Sequence, residues 1–219
     1  MQPDLDFLDQ VEIMIDEGCS EYSEYLSDHN DVDDIDELEE ILNANNFDDL
    51  PIEFITDHSV RKDPDEWVSA AADWDPIEGK SVRVFLHATN LVKVWGPKTF
   101  KKIIMRMLAH ETIHWKQYDK FDPTVLVTYK SGYMKGVELK KAGGTERDLM
   151  CSYLRDPHEL MAYGHDLAAE MRDTDMPLEA LRGPERFVEE LPVYKRYREY
   201  FAIESKQIKQ LMKYTANYF

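Results

Sequence analysis

Along this chain apolar residues recur at helical spacing far more often than at the two-residue spacing of a strand, and the pattern predicts a mainly helical set of elements with one small sheet. Leu5, Leu8, Val11, Ile13, Met14 and Ile15 stand among acids over residues 3–17 and predict an amphipathic helix that Tyr22 and Tyr25 extend through 20–27. The next stretch, Asp28 to Glu40, holds eight acids in thirteen residues. Ile35, Leu38, Ile41 and Leu42 keep the helical interval there, so it reads as a solvated helix with one inward face. Residues 51–56 alternate and predict a strand. Asp63 to Trp74 predicts a helix opened by Pro64, with Trp67, Val68, Ala71 and Trp74 on one side. After the break at Gly79, Ser81 to His87 alternates with β-branched and aromatic residues and is the clearest strand in the chain.

The second half is more helical. Gly96-Pro97 is a natural helix start, and the following residues carry Ile103, Met107, His110 and His114 in one row without Pro or Gly. Asp122-Pro123 restarts the chain; 124–140, with Gly132 and Gly136 inside it and Gly143 and Gly144 beyond, reads as irregular, between helix and loop. Glu146 to Asp156 and Pro157 to Glu170 predict two helices, the second with Pro in its first turn. Pro192 to Tyr218 predicts one long amphipathic helix with Tyr197, Phe201, Ile208, Leu211 and Met212 inward. The fold class expected is α+β, predominantly helical. Residues 1–50 form an acidic helical N-terminal extension in this reading, and 51–219 the domain that carries the chemistry.

Charge sharpens that division. Residues 1–79 hold 26 acidic and 2 basic side chains, whereas 80–219 hold 18 and 24, so a chain of net charge −18 is divided into halves of −24 and +6. So acidic a chain disfavours direct binding to nucleic-acid phosphates. The basic region can instead attract the chain's own N-terminus, which either folds back to limit access to a cleft or simply completes the fold. The acidic run does not fit a calcium loop: counted from Asp28, the fifth position is Val32 and the sixth is Asp33, where the turn needs Gly. Two cysteines, Cys19 and Cys151, in unrelated contexts argue for a reducing compartment. The N-terminus lacks a signal-peptide pattern and no apolar run reaches the ~20 residues of a membrane span, so the expectation is a soluble, cytoplasmic protein with no membrane partner.

One stretch carries chemistry. In His110-Glu111-Thr112-Ile113-His114 the two histidines lie four apart, on one helix face, and can offer two imidazole nitrogens to a single metal ion with Glu111 beside them. Zinc in a catalytic site takes three protein ligands and keeps a position for water, whose proton a neighbouring carboxylate can accept. The third ligand must come from elsewhere: Asp119, Asp122, Glu138, Glu146, Asp148, Asp156, His158, Glu159, His165 and Asp166 follow the motif. Lys120 stands where metzincins place a third His. The helix from Pro157 supplies the better choice in Glu159, with His158 and Asp156 as alternatives.

The two motifs together, His-Glu-x-x-His followed by Gln117 and then Tyr153-x-x-x-Pro157-x-Glu159-x-x-Ala162-Tyr163 about 45 residues on, resemble the small gluzincin-type, zincin-like metallopeptidases, including those found in phage genomes. The resemblance covers roughly residues 80–170. It implies zinc held by His110, His114 and Glu159, Glu111 as general base, and a compact α+β fold in which the two helices pack across the ion; the strand 81–87 is expected beside the metal helix, offering its edge to an extended peptide substrate. If the chain is phage-encoded, the compartment is the host cytoplasm. Thermolysin-like members carry an Asp four residues past the Glu ligand; here that position is Tyr163, which with His165 is a candidate to hydrogen-bond the oxyanion. The expected activity is hydrolysis of a peptide or protein. The rival expectation is an acidic binding or inhibitor protein that imitates nucleic acid, with a structural or vestigial zinc site.

Overall fold

The computed structural model describes residues 2–29, 34–46, 50–60, 67–75, 79–93, 95–120, 131–181 and 187–219. They fall into two units, residues 3–119 and 120–219, each with its own apolar core. The mostly helical α+β class holds, with one three-stranded sheet among the described residues. None of the described helices is long and apolar enough to cross a membrane.

The first unit runs α1 (Leu5–His29), α2 (Ile35–Ala44), β1 (Ile52–Asp57), β2 (Val68–Asp75), β3 (Gly79–His87), α3 (Ala88–Leu91) and α4 (Pro97–Tyr118). The N-terminal periodicity is realised as one continuous helix, and α2 buries Ile35, Leu38, Ile41 and Leu42 as their spacing predicts. Strand order is β1-β3-β2, with β1 parallel and β2 antiparallel to β3. Ile52, Phe54, Val68, Val82, Val84 and Leu86 share a core with Val11 and Ile15 of α1, Leu38 of α2, and Phe100, Ile104 and Leu108 of α4. The expected boundary at residue 50 therefore lies inside this unit, whose core draws on residues from both sides of it.

Two expectations are corrected here. Residues 68–74, read as part of a helix, belong to strand β2; 61–66, which include Pro64, lie outside the described residues. The apolar spacing at Trp67, Val68 and Ala71 fits a helix, but pairing along the whole length of β3 overrides it, and the small side chains of Ala70, Ala71 and Ala72 are compatible with either state. Consequently β3 is the central strand and has no edge to offer. The outer side of β1 is covered as well: Asn43 of α2 accepts from the Phe54 N–H at 3.0 Å and donates to its carbonyl at 2.9 Å.

The second unit contains α5 (Gly132–Lys141), α6 (Glu146–Leu154), α7 (Pro157–Asp173), 3-10 turns at Leu178–Leu181 and Phe187–Glu190, α8 (Pro192–Tyr200) and α9 (Lys206–Tyr218). Of the stretch that the sequence left between helix and loop, residues 132–140 are helical, and Gly136 lets this helix approach α6: a Cβ there would lie 2.7 Å from the Leu149 carbonyl oxygen. Residues 124–130 of that stretch lie outside the described residues. The expected long C-terminal helix is two. Phe201 is extended, and the Ser205 side chain accepts from the Ile208 N–H at 3.3 Å, a new N-cap that restarts the helix. α7 and α9 cross at Gly164, where a Cβ would meet the Tyr214 Cβ at 2.5 Å.

Candidate metal centre

In the first unit, α4 starts with Pro97 at its first turn and buries Phe100, Ile104, Leu108, Ala109 and Ile113, which fixes the rotation of the helix and with it the direction of the histidines. His110 and His114 are both buried, one turn apart, with ring centroids 5.1 Å from each other. His114 Nδ1 lies 2.8 Å from Gln117 Oε1. A carboxamide oxygen only accepts, so Nδ1 carries the hydrogen and the lone pair is left on Nε2, the tautomer suited to bind a metal through Nε2. Glu111 Oε2 accepts from the Ala72 N–H of β2 at 2.8 Å, so the carboxylate beside the histidines is oriented by the strand next to it.

The N-terminus of α1 holds this same turn. The Asp4 N–H donates to Thr112 Oγ1 at 3.2 Å, Lys116 Nζ donates to the Pro3 carbonyl at 2.9 Å, and the Phe7 ring meets Trp115 edge-on at 4.8 Å. Trp115 Nε1 in turn donates to the Ser81 carbonyl of β3 at 3.2 Å. Further along, Lys101 pairs with Glu12 at 2.8 Å and Asp16 at 2.6 Å. Exposed pairs of this kind contribute about 1 kcal/mol or less, so the buried faces of α1, with Val11 and Ile15, dominate its docking.

In the second unit, Glu159 sits half-buried in the first turn of α7, where the helix dipole favours its charge. The two alternatives to it have structural duties. Asp156 is the N-cap of α7: Oδ1 accepts from the His158 N–H at 2.9 Å and Oδ2 from the Gly132 N–H at 2.7 Å, tying α5 to α7. His158 stays beside that cap, Nδ1 3.4 Å from Asp156 Oδ1. Other candidates are also engaged: Asp119 with Lys80 at 2.6 Å, Asp148 in a capping box with Thr145, and Glu146 with Lys140. Asp122 lies outside the described residues.

Glu159, Tyr163 and Asp166 follow one another on one face of α7. Tyr163 is a core residue of this unit, its hydroxyl 3.4 Å from that of Tyr153 and its ring edge-on to Tyr197 at 5.6 Å. The Arg196 guanidinium lies 5.4 Å from the Tyr163 ring centroid. His165 packs edge-on against Tyr218 at 5.3 Å. Tyr197 was not singled out by its sequence context, where it is one apolar position of a helix. It is 0% exposed, and its hydroxyl makes no hydrogen bond among the described residues. Burial pushes its phenol well above the usual value; the nearby Tyr163, Glu159 and Asp166 add to the rise, and Arg196 opposes it.

Gln117 was legible as a helical neighbour three residues past His114. The Ala72 N–H was not, because its segment reads as helix. Comparison of the chain with protein-family models, with curated proteins and with solved structures gives no match. The resemblance to gluzincins rests on the motif residues of the sequence.

Proposed function

We propose that the protein is a zinc-dependent metallopeptidase of minimal gluzincin type, in which His110, His114 and Glu159, the ligand set the resemblance implies, each supply one ligand atom to a single ion. The donor set fits the group: two imidazole nitrogens and one carboxylate oxygen make the three-ligand arrangement of catalytic zinc, which leaves a position for water. Zinc, when bound, supplies Lewis acidity toward a carbonyl oxygen and lowers the pKa of the water it holds. The observation that carries the reading is the α4 turn itself, two buried histidines with one tautomer set by Gln117 and a carboxylate beside them oriented by Ala72.

The chain's own residues divide the remaining work. Glu111 takes the proton of the attacking water and returns it to the leaving amine. The β2 strand lies at the side of the sheet away from β1, and its register with β3 leaves the backbone groups of Ala70 and Ala72 turned outward. An extended peptide can add along that edge, next to Glu111, whereas the β1 edge is taken up by Asn43. Glu159 lies near the buried Tyr197, whose phenol it and Asp166 help to push upward.

The test is Glu111→Gln. Glutamine keeps an oxygen to accept the Ala72 N–H, so the fold and the bound zinc are expected to be retained while peptide hydrolysis falls by about a hundredfold or more. Hydrolysis at the unchanged rate would remove Glu111 from the mechanism.

A further inference from the structure

A second constellation of chemically competent side chains lies on the sheet of the first unit, on the face opposite the core that the sheet shares with α4. Asp57 and His87 are register partners on β1 and β3, and Ser69 of β2 pairs with Phe85, two residues before His87. By strand alternation the three side chains project from the face opposite Val84 and Leu86, which belong to the core shared with α4. They form a relay: Ser69 Oγ is 3.0 Å from His87 Nε2, and His87 Nδ1 is 3.5 Å from Asp57 Oδ2. His87 is 0% exposed, the Asp57 side chain 24% exposed, and Ser69 half-buried on the outer strand.

The order of groups suits one set of proton positions. With the hydrogen on Nδ1, toward the carboxylate, the Nε2 lone pair accepts from the Ser69 hydroxyl, the arrangement of nucleophile, base and orienting acid. The backbone adds a donor. The His87 N–H bonds to the Trp67 carbonyl at 2.9 Å and the Ala72 N–H turns outward to Glu111, so by parity the Ala70 N–H also points away from β3. It is the N–H that follows the serine, where a donor can meet an oxygen that gains charge when Ser69 is acylated. A histidine that merely fills a core would also need partners for both nitrogens. The exposure of Ser69, with the base behind it buried, is what such a core residue does not require.

We propose that Ser69 is an activated nucleophile that accepts acyl groups from esters, through a site independent of the metal. In that step the Ser69 Oγ–carbon bond forms and the ester carbon–oxygen bond breaks, while the hydroxyl proton passes to His87 Nε2 and on to the leaving alkoxide. Water then releases the acid and restores the serine.

The experiment treats the full chain with a fluorophosphonate, in which the Oγ–phosphorus bond replaces phosphorus–fluorine, and locates adducts by intact mass and peptide mapping. One adduct at Ser69 is expected, absent in Ser69→Ala and unchanged when zinc is removed with a chelator. In Asp57→Asn, with folding checked by thermal melting, the labelling rate is expected to fall about tenfold or more, because the imidazole loses its orienting acid. No adduct at Ser69 on the folded wild-type chain would overturn the proposal. Equal rates in Asp57→Asn, or labelling that disappears with the metal, would overturn it too, and neither result bears on the peptidase reading.

Discussion

Gln117→Leu is the substitution that most sharply probes how the α4 site is held. Gln117 is buried and its Oε1 accepts from His114 Nδ1 at 2.8 Å, so leucine, of similar volume, deletes the acceptor while largely filling the space. Two costs follow. The His114 N–H loses its acceptor in a buried position, which costs about 1–3 kcal/mol of stability. The ring also loses the contact that fixes its rotation and tautomer, and loss of such an outer partner weakens metal binding by roughly 10–100-fold, or about 1.4–2.7 kcal/mol. The two costs separate experimentally. Thermal unfolding in chelator reads the first, and competition with a chromogenic zinc chelator at fixed pH reads the second. Gln117→Glu keeps an acceptor at the same reach, so its zinc affinity is expected to stay within about threefold of wild type. If Gln117→Leu remained folded and bound zinc with wild-type affinity, the His114–Gln117 hydrogen bond would have no part in holding a metal ligand.

Two further substitutions test the frame around the site. Gly164→Ala pushes a methyl group against the Tyr214 Cβ, 2.5 Å away, and overpacking of about 1–3 kcal/mol outweighs the helix-propensity gain of about 1 kcal/mol, so a lower melting temperature is expected by calorimetry; a rise would show that α7 and α9 can separate freely. Burial, reinforced by Asp16, pushes the Cys19 thiol from 9.0 up to about 12, so the stability that its neutral form contributes is complete below about pH 9 and is lost as pH rises toward 12. Cys19→Ala should therefore flatten the loss of stability between those limits in denaturant titrations, and native Cys19 should resist alkylation at pH 8; rapid alkylation of the folded chain would contradict the burial.

The parts of the fold legible in the sequence were those where a single element carries its own signal. The α2 face of Ile35, Leu38, Ile41 and Leu42, the β3 alternation, and the Asp156-Pro157 start of α7 each declare themselves within a few residues, through periodicity or a cap. So does the pairing of His110 with His114, since the helix alone sets their spacing. What escaped was decided by partners distant in the chain. β2 is a strand because β3 is available to pair with it, and with that strand came the Ala72 N–H on Glu111 and the position of Ser69 beside His87. The break at 201–205 escaped for a related reason: the apolar spacing of Tyr197, Phe201, Ile208 and Leu211 runs through it, and only the Ser205 cap marks the restart. The acidic N-terminus looked separable by charge, yet its apolar face and residues 3–7 are part of what holds the α4 turn of His110 and His114.

The central claim is tested most directly by the metal content of the purified full-length chain, measured by inductively coupled plasma mass spectrometry after dialysis against metal-free buffer. One zinc per chain is expected in the wild type, with near-complete loss in His114→Ala and in Glu159→Ala variants that melt cooperatively. A wild-type chain that takes up no zinc, or one that keeps it in both variants, would contradict the account.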